Sequence, residues 1–378
     1  MSVGAGPAPD KRRVAVFTTR FLPYSETFVH DELAAHERYE AHVFCTRRLH
    51  ADRFPYPSVF AGGRVYACTR VSPRFDHQLG QGGYALIHAH FGTGAVYAVP
   101  FAQRHGLPLV VTFHGFDVPL LGSGERLYPK YWPYALLGPS VLRHLSLGLC
   151  ASVELYEMLR ELGVPAERLR VHRLGIDVRR FVPGERQADG EPLVVMVGRF
   201  VPKKGLVYGV RAFAECRRRR PRGRLIIVGD GERRAELEAA VREEGLAGHV
   251  TFAGALPHAE VAALLARADV LVAPSVTTAN GDRESGIMVV KEASASGAVP
   301  LGTWHGGIPE IVEDGRTGFL VPERNVAALA GRLDELLADP ALRRRMAEAA
   351  RKKMAAEYDN RTRVAALEQA YDDVVSAR

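Results

Sequence analysis

The chain has 378 residues, which is enough for two domains of ordinary size, and its 47% hydrophobic and 25% charged residues are typical of a folded globular protein. This composition excludes a mainly disordered chain, and no apolar run reaches the roughly 18 residues that a transmembrane helix needs. The net charge of +7 lies mostly in residues 1–180, where 21 Lys and Arg face 15 Asp and Glu.

The basic first half leaves the kind of partner open. A phosphate-bearing or membrane-surface acceptor would suit the charge, and so would arginines that are simply solvated. Because no nucleic-acid-binding motif accompanies the charge, we expect no nucleic-acid partner.

The cellular compartment is predicted from the cysteines and from the start of the chain. The four cysteines form no C-x-x-C pair, which predicts free thiols in a reducing compartment rather than a disulfide framework or a zinc site. Residues 1–12 lack the apolar core of a signal peptide, and we interpret them as a disordered tail. We therefore expect a cytoplasmic protein, with peripheral contact to the inner face of the membrane left open.

Short apolar runs alternate with helical patterns along the first half. Buried strands are predicted at residues 13–17, 41–45, 64–67, 85–90, 108–113 and 169–173, and helices near residues 26–35, 95–105 and 152–162. Strands that alternate with helices indicate a doubly wound α/β domain. The aromatic- and proline-rich residues 128–147 are typical of a core-lining loop and helix, or of an acceptor-side or membrane-facing surface.

The second half repeats this pattern after a polar, loop-like stretch at residues 175–190. Strands are predicted at residues 192–198, 224–229, 249–252, 270–273, 299–302 and 318–321, and helices at 207–218, 232–244, 259–267, 326–338, 340–357 and 361–376. We therefore predict two domains joined by this linker, residues 1–178 and 190–358, with a ligand in the cleft between them.

Two glutamates in the second half form the most informative pattern. Glu284 and Glu292 have seven residues between them, and a flexible His305-Gly306-Gly307 loop follows further along. Because this spacing is about two helical turns, both carboxylates can face one ligand if a loop runs into a helix there. Nearby glycines allow backbone amides to approach a charged group, which argues against a pair of ordinary exposed helix glutamates.

Basic residues follow the first strand of the second half. Arg199 and Lys204 lie between that strand and a helix, where a diphosphate finds both free amides and cations. We expect these two residues to bind phosphate and Lys203 to be their solvated neighbour. The turn at residues 229–231 lacks the third glycine of a dinucleotide-binding fingerprint, because Arg234 stands there.

Histidines mark the ends of two strands in the first half. His114 and Asp117 follow a strand, so His114 could hydrogen-bond a sugar hydroxyl or phosphate while Asp117 orients it; a histidine satisfied by a backbone carbonyl is the alternative. We expect His88 and His90 to face opposite sides of their strand. No Ser-His-Asp order, HExxH or P-loop lysine motif occurs, which excludes the common hydrolase and kinase classes.

These motifs together resemble glycosyltransferase family 4, whose members have two Rossmann-like domains in the GT-B architecture. The similarity is strongest over residues 192–322, where VGRFVPKKG, VGDGERR, FAGALPHAEV, ADVLVAPS, the glutamate pair and HGGIPEIVEDGRTGFLVP occur in the family's order. The turn PYSET at residues 23–27 resembles members that make bacterial exopolysaccharides.

The resemblance implies a role for each site residue. Arg199 and Lys204 would bind the donor diphosphate, Glu292 the ribose and Glu284 the donor sugar. His114 and, less firmly, Asp117 would lie near the reacting sugar as catalytic residues. The remaining donor contacts would come from the backbone amides of Gly286, Ile287 and Met288 and from residues around Leu256 beside the base.

The resemblance also implies the reaction. It would be a retaining, metal-independent transfer of a hexose-type sugar from a nucleotide diphosphate sugar, first a UDP-sugar and second a GDP-sugar, with no bound cofactor. The acceptor hydroxyl could belong to a polysaccharide, a lipid-linked glycan or a small natural product. Residues 1–178 would bind the acceptor, residues 190–358 the donor, and the last helix, residues 359–378, would pack back on the first domain.

The chain departs from the family's pattern at two places. Ser285 and Ile287 stand where many members have Gly and Phe, which leaves the sugar open. The PYSET turn replaces the usual glycine-rich loop after the first strand, which leaves the acceptor open.

Three alternatives to a transferase remain. A sugar-nucleotide epimerase or a phosphorylase would share the GT-B architecture, and a non-catalytic protein could bind nucleotide sugars. An NAD-dependent oxidoreductase is disfavoured by the missing glycine and by Arg199 and Lys204.

Overall fold

The computed structural model describes residues 11–23, 26–122, 132–185, 191–279 and 281–377. Residues 1–10 of the disordered tail predicted at residues 1–12 lie outside these ranges, as do Tyr24 and Ser25 of the PYSET turn. Arg12 begins the first strand, so the prediction of a tail is wrong at that residue. The described chain divides into two compact units. The first contains Met1–Cys150, Tyr156–His172 and Arg361–Arg378, and the second contains Ala151–Leu155 and Arg173–Asn360.

The first unit is built on a seven-stranded sheet in which every pairing is parallel. Its strands are β1 Arg12–Phe21, β2 Tyr39–Arg48, β3 Val59–Ala61, β4 Tyr84–His90, β5 Leu109–Phe113, β6 Leu147–Cys150 and β7 Leu169–Val171. Their order across the sheet is β3-β2-β1-β4-β5-β6-β7. The apolar runs are continuous because both faces of a parallel sheet are covered by helices.

Within the described ranges, seven α-helices connect these strands. They are α1 Thr27–Ala34, α2 Gly63–Thr69, α3 Pro73–Gln81, α4 Phe91–His105, α5 Pro119–Gly122, α6 Trp132–His144 and α7 Val153–Glu161. The predicted strand at residues 64–67 is wrong, since α2 occupies this stretch and the strand is β3. A short apolar run fits either element, and in this one Tyr66 is buried while the side chain of Val65 is 72% exposed.

The second unit is built on a six-stranded parallel sheet. Its strands are β8 Leu193–Val197, β9 Arg224–Val228, β10 Val250–Gly254, β11 Val270–Ala273, β12 Val299–Thr303 and β13 Phe319–Val321, in the order β10-β9-β8-β11-β12-β13. Alternate residues of β8 enter different cores, Val194 and Met196 on one face and Val195 on the other. The sheet is therefore buried on both faces, as a doubly wound fold requires.

Five helices of the second unit lie within two residues of their predicted bounds, and for the helices at Met288–Ala295 and Ile308–Ile311 no bounds were predicted. The helices of this unit are α8 Leu206–Arg219, α9 Arg234–Glu243, α10 His258–Arg267, α11 Met288–Ala295, α12 Ile308–Ile311, α13 Val326–Ala338 and α14 Pro340–Glu357. The start of α14 is specified locally, because Asp339 Oδ1 accepts from the N–H groups of Ala341 at 2.8 Å and Leu342 at 2.9 Å.

The last helix, α15 Asn360–Ser376, packs into the core of the first unit. Leu367, Ala370 and Tyr371 join that core, and Glu368 Oε1 accepts from the backbone N–H groups of Glu37, Arg38 and Tyr39 at 2.9, 2.8 and 3.1 Å. None of the helices in the described ranges combines the length and apolar character needed to cross a bilayer.

Candidate functional site

The phosphate-binding candidates follow β8 in a short turn. A 3-10 turn at Pro202–Lys204 leads through Gly205 into α8. Gly205 has φ +58°, and a Cβ there would lie 2.1 Å from the carbonyl oxygen of Pro274, so only glycine fits this turn. Both lysines are therefore held at the carboxyl end of β8, where open α/β sheets bind ligands.

The two lysines converge on one acidic segment. Lys204 Nζ lies 2.8 Å from Glu284 Oε2, while Lys203 Nζ lies 3.0 Å from Asp282 Oδ1 and 3.7 Å from Glu284 Oε1. The prediction that Lys203 is solvated is wrong, because its side chain is only 11% exposed. The loop that carries Asp282 and Glu284 folds over the turn and gives each lysine a carboxylate.

Arg199 differs from the lysines in being exposed. Within the described ranges no side chain pairs with its guanidinium. It lies directly after Gly198, along which the aliphatic part of Lys204 runs, with Lys204 Cε 3.1 Å from the position of a Cβ on that glycine. Arg199 thus directly follows the glycine along which Lys204 lies, and its own side chain is exposed.

Glu284 is held as a carboxylate. Burial opposes its charge, but attraction to Lys204 and Lys203 and the hydrogen bond from Lys204 outweigh this and lower its pKa to about 2. At neutral pH Glu284 therefore only accepts hydrogen bonds, which suits the hydroxyls of a sugar.

His305 fixes the backbone of Glu284, and the sequence interpretation assigned it no role. Its ring is fully buried, and Nε2 accepts from the Glu284 N–H at 2.9 Å while Nδ1 lies 2.7 Å from Glu323 Oε1. Because a backbone N–H only donates, Nε2 carries no proton and Nδ1–H donates to Glu323. Glu323 is in turn fixed by the N–H of Thr277 at 2.8 Å.

The glycines after His305 are needed for close packing rather than for flexibility. A Cβ on Gly306 would lie 1.8 Å from the carbonyl oxygen of Glu284, and one on Gly307 would lie 2.1 Å from that of Ser285. A strand followed by His-Gly-Gly was the sequence signal from which this support could have been found.

Glu292 lies on α11, so the expected loop running into a helix is present, with Glu284 on the loop. Its side chain is 10% exposed, and Oε1 lies 3.0 Å from His258 Nε2 at the start of α10. Leu256, two residues before His258, is half-buried and packs against a core of the unit. Glu292 therefore contacts His258 at the start of α10, and Leu256 precedes that helix in the chain.

The three predicted amide donors differ in availability. Met288 begins α11, where first-turn N–H groups have no acceptor inside the helix. The N–H of Ile287 already donates to the carbonyl of Ser285 at 3.1 Å, and the Ile287 side chain is buried in the core. Gly286, which lies between Ser285 and Ile287 in the chain, is half-buried.

His114 lies in the first unit, directly after β5. Its Nε2 is 3.0 Å from Nδ1 of His90, which ends the neighbouring strand β4. The His114 ring packs against Phe91 and Phe28, with ring centroids 4.4 and 5.0 Å away. Adjacent parallel strands end at the same edge of a sheet, which is why the two histidines meet.

Asp117 braces the backbone around His114. Its carboxylate is buried and accepts from the N–H of Gly115 at 2.9 Å and from the N–H of Gly92, in the first turn of α4, at 2.8 Å. Burial raises its pKa, partly offset by these backbone hydrogen bonds. The turn after β5 is therefore tied to the start of α4.

The expectation that His88 and His90 face opposite sides of β4 is wrong. Residues two apart on a strand point to the same face, and the two ring centroids are 4.5 Å apart. Both are buried, and His88 contacts Tyr371 Oη through Nδ1 and Thr112 Oγ1 through Nε2, each at 2.7 Å.

The turn at residues 229–231 packs against the turn that carries Arg199. A Cβ on Gly229 would lie 1.9 Å from the carbonyl oxygen of Gly198, and the Phe200 N–H donates to the carbonyl of Asp230 at 2.8 Å. Close approach of two loops therefore explains these glycines without a dinucleotide.

Two family models match the chain. One described as "Glycosyl transferases group 1" matches residues 178–353, and one described as "Glycosyltransferase Family 4" matches residues 28–180.

Named relatives are similar over much of this length. WcaL of Salmonella typhimurium, a glycosyltransferase provisionally assigned to colanic acid biosynthesis, is 34% identical over 255 residues, which is 65% of this chain and 60% of the relative. The chain thus spans about 60% of the length of that relative. The alpha-D-kanosaminyltransferase of Streptomyces kanamyceticus is 30% identical over 81% of this chain and 80% of its own length.

Solved structures share the fold. Sucrose-phosphate synthase from Thermosynechococcus elongatus superposes with a TM-score of 0.78 and 22% identity, covering 97% of this chain and 100% of that one. HepE of Anabaena, solved with UDP and glucose, superposes with a TM-score of 0.77 and 20% identity, covering 96% and 100%. The predicted family and α/β fold are confirmed: the chain belongs to glycosyltransferase family 4 and has the GT-B fold.

Proposed function

We propose that this protein is a retaining glycosyltransferase that moves a hexose-type sugar from a nucleotide diphosphate sugar to an acceptor hydroxyl. The observation that carries the proposal is the cluster at the carboxyl end of β8, where Arg199 is exposed beside Lys204 and Lys204 is paired with the ionised Glu284. Cations next to a fixed carboxylate fit a molecule that joins a diphosphate to a sugar.

The cations act on the leaving group. Arg199 and Lys204 bind the diphosphate. Lys203, whose Nζ lies 3.7 Å from Glu284 Oε1, adds a second ammonium group near the leaving group. Charge develops on the phosphate oxygen as the bond to the sugar C1 breaks, so fixed positive groups lower the barrier.

The carboxylates act on the hydroxyl groups of the donor. Glu284 accepts from sugar hydroxyls, and its backbone is fixed by His305 at 2.9 Å. Glu292 accepts from the ribose diol, with His258 at 3.0 Å orienting the carboxylate and Leu256 flanking the base. Gly286 and Met288 contribute backbone amides, while the Ile287 amide is already used within its own turn.

In the transfer, the acceptor oxygen forms a bond to C1 on the face from which the diphosphate leaves. The acceptor proton passes to a phosphate oxygen of the leaving group, so no separate protein base is required. His114 contacts the reacting sugar, and Asp117 holds the turn that carries it, with its carboxylate 2.9 Å from the Gly115 N–H.

The relatives support a choice of substrates. HepE was solved with UDP and glucose, so a UDP-sugar is our first proposal for the donor and a GDP-sugar the second. The name of WcaL supports a bacterial polysaccharide as the acceptor, and a small natural product is our alternative. We keep a lipid-linked glycan and peripheral membrane contact as predictions.

We likewise propose residues 1–178, with the last helix, as the acceptor-binding part and residues 190–358 as the donor-binding part.

The test is a thermal-shift screen of the whole chain against nucleotide sugars. A ligand at a hundred times its dissociation constant should stabilise the fold by about 2.7 kcal/mol. The shift should be lost in Lys204→Ala and kept in the control Lys352→Ala, whose side chain is 75% exposed. If no UDP, GDP, ADP or dTDP sugar stabilises the wild-type chain, the proposal is wrong.

A second measurement separates a transferase from the same-fold alternatives. Release of nucleoside diphosphate from the donor that binds should depend on an added acceptor. An epimerase would convert the donor without releasing nucleoside diphosphate, and a phosphorylase would require inorganic phosphate.

A further inference from the structure

A buried carboxyl lies behind His90 on the side away from His114. Glu32, on α1, has a side chain that is 6% exposed, and its Oε1 lies 3.4 Å from Nε2 of the fully buried His90. Neither atom has a hydrogen-bond partner in the described part of the chain, and the 3.4 Å between them is a close approach without hydrogen-bond geometry. His90 Nδ1 in turn lies 3.0 Å from His114 Nε2, so three side chains form one row.

Neither end of the Glu32–His90 contact carries a charge near neutral pH. Burial raises the pKa of Glu32 to about 8, and no Lys or Arg among the described residues forms an ion pair with it. Burial, with smaller repulsions from His36 and His172, lowers the pKa of His90 to about 3. The contact is therefore between a carboxylic acid and a neutral imidazole rather than an ion pair.

A metal ion is the other group that could satisfy these atoms, since Glu32, His88 and His90 lie close enough to share one. Both nitrogens of His88 are already 2.7 Å from hydroxyl groups, those of Tyr371 and Thr112. A cation would have to displace one of these hydrogen bonds, whereas a proton on Glu32 displaces nothing. The contacts therefore favour the proton.

We propose that Glu32, acting through His90, is a positioning residue that sets the orientation and the tautomer of His114. The Glu32 O–H donates to His90 Nε2, and His90 Nδ1–H donates to His114 Nε2. His114 then carries its own proton on Nδ1, the nitrogen that faces away from His90. This inference rests on the proposed function, in which His114 contacts the reacting sugar.

Local strain at the same place supports a functional constraint. Phe91, directly after His90, has φ +64° although it is not a glycine. Non-glycine residues in the left-handed region are costly and tend to occur at functional sites. Here the strained residue begins α4, and its ring packs 4.4 Å from the His114 ring.

The tautomer can be measured without any substrate. In ¹⁵N-histidine NMR spectra of the whole chain, we expect the His114 signal, identified by its loss in His114→Gln, to show a protonated Nδ1 and an unprotonated Nε2. A proton on Nε2 would overturn the proposal. This experiment stands even if no nucleotide sugar binds, so its failure and that of the proposed function are distinguishable.

The role of Glu32 is tested by two substitutions with opposite expectations. Glu32→Gln keeps an N–H donor for His90 and should retain kcat within about twofold, whereas Glu32→Leu removes the donor and should lower kcat by about tenfold to a hundredfold with a smaller change in KM for the donor. Equal losses in both variants, or no loss in Glu32→Leu, would overturn the proposal. Glu37→Gln, at an exposed position after α1, is the control.

The pH profile provides a readout that a purely structural role would not change. Wild-type kcat should fall as the pH rises through about 8, where Glu32 loses its proton, and Glu32→Gln should abolish this decline. The other titratable groups facing the pair are His36 after α1, His88 from β4, His114 after β5, His172 after β7 and Tyr371 from α15. A decline that persists in Glu32→Gln, or stoichiometric metal bound by wild type and lost in Glu32→Gln, would contradict the relay.

Discussion

Two buried glutamates, one in each unit, reach opposite charge states. Glu32 forms no ion pair with a Lys or Arg of the described chain, and burial raises its pKa to about 8. Glu284 is also mostly buried, but two lysines outweigh the burial and lower its pKa to about 2. The difference shows that burial alone does not set the state of a carboxyl; the charge packed against it does.

The same contrast extends to the two candidate sites. In the second unit charged groups converge at the end of β8, which suits a charged donor. In the first unit the neutral His90 and the neutral Glu32 lie behind His114, which follows β5, and this suits the hydroxyls of sugars. Substitutions that remove or neutralise one residue in each candidate site test this difference between the two sites.

The largest effect is expected from Lys204→Ala. It removes the ammonium 2.8 Å from Glu284 and one of the proposed diphosphate contacts, so kcat/KM should fall by about a hundredfold to a thousandfold. Steady-state kinetics with the donor found in the thermal-shift screen give the number. Lys352→Ala, on an exposed side chain, should be unchanged. A loss below about threefold would contradict the diphosphate role.

Glu284→Gln should flatten the acid limb of the stability curve. The folded pKa of about 2 lies below the ordinary 4.5, so the Glu284 charge stabilises the fold above pH 4.5, and this stabilisation is lost as the pH falls toward 2. At about 1.4 kcal/mol per pKa unit the contribution is up to about 3 kcal/mol.

Urea denaturation at pH 7 and pH 3 measures this difference. The variant should lose stability relative to wild type at pH 7 and approach it at pH 3. Glu260→Gln, at an exposed position on α10, is the control. Parallel curves for wild type and Glu284→Gln would rule out the lysine pairing.

His305→Ala should destabilise the second unit and weaken donor binding. It removes the acceptor of the Glu284 N–H and the donor to Glu323, which costs about 1–3 kcal/mol for buried groups. Denaturation and donor titration calorimetry together measure the effect, with the exposed His77→Ala as control. Unchanged donor affinity would show that the Glu284 backbone needs no such support.

Glu32→Gln should remove a pH dependence from the thermal stability of the fold. The raised pKa means that the folded state holds a proton that the unfolded state releases above its ordinary pKa of 4.5, so wild type loses stability as the pH rises from 4.5 to 8. The variant has no such dependence, and its Tm advantage over wild type should grow between pH 5 and pH 8. A constant Tm difference would indicate that Glu32 is ionised in the folded state.

Most of the second unit was predictable because local sequence signals mark where its helices and strands begin and end. The helices Val326–Ala338 and Pro340–Glu357 have the bounds that were predicted, and Asp339 before a proline is a strong local start signal. The first unit was harder, since α2 is a short helix that resembles a strand, and α3 was not predicted. Short apolar runs do not distinguish the two kinds of element.

The errors within the candidate site have physical causes of two kinds. The prediction for His88 and His90 misapplied strand periodicity, and correct periodicity places both on one face. The prediction for Lys203 failed for a different reason, because the loop that carries Asp282 is distant in sequence and only folding brings it within 3.0 Å. Glu323 behind His305 was missed for the same reason.

The sequence by itself determined the two α/β units, the family and which residues end the strands, because hydrophobic periodicity and motif order are local properties. Only the tertiary structure decided which of the buried acidic residues are ionised. The pKa of Glu284 depends on Lys203 and Lys204, about 80 residues away in the chain. The neutrality of Glu32 depends on a core closed in part by α15, from the far end of the chain. The charge state of a side chain depends on its neighbours in space, and only folding brings those neighbours together.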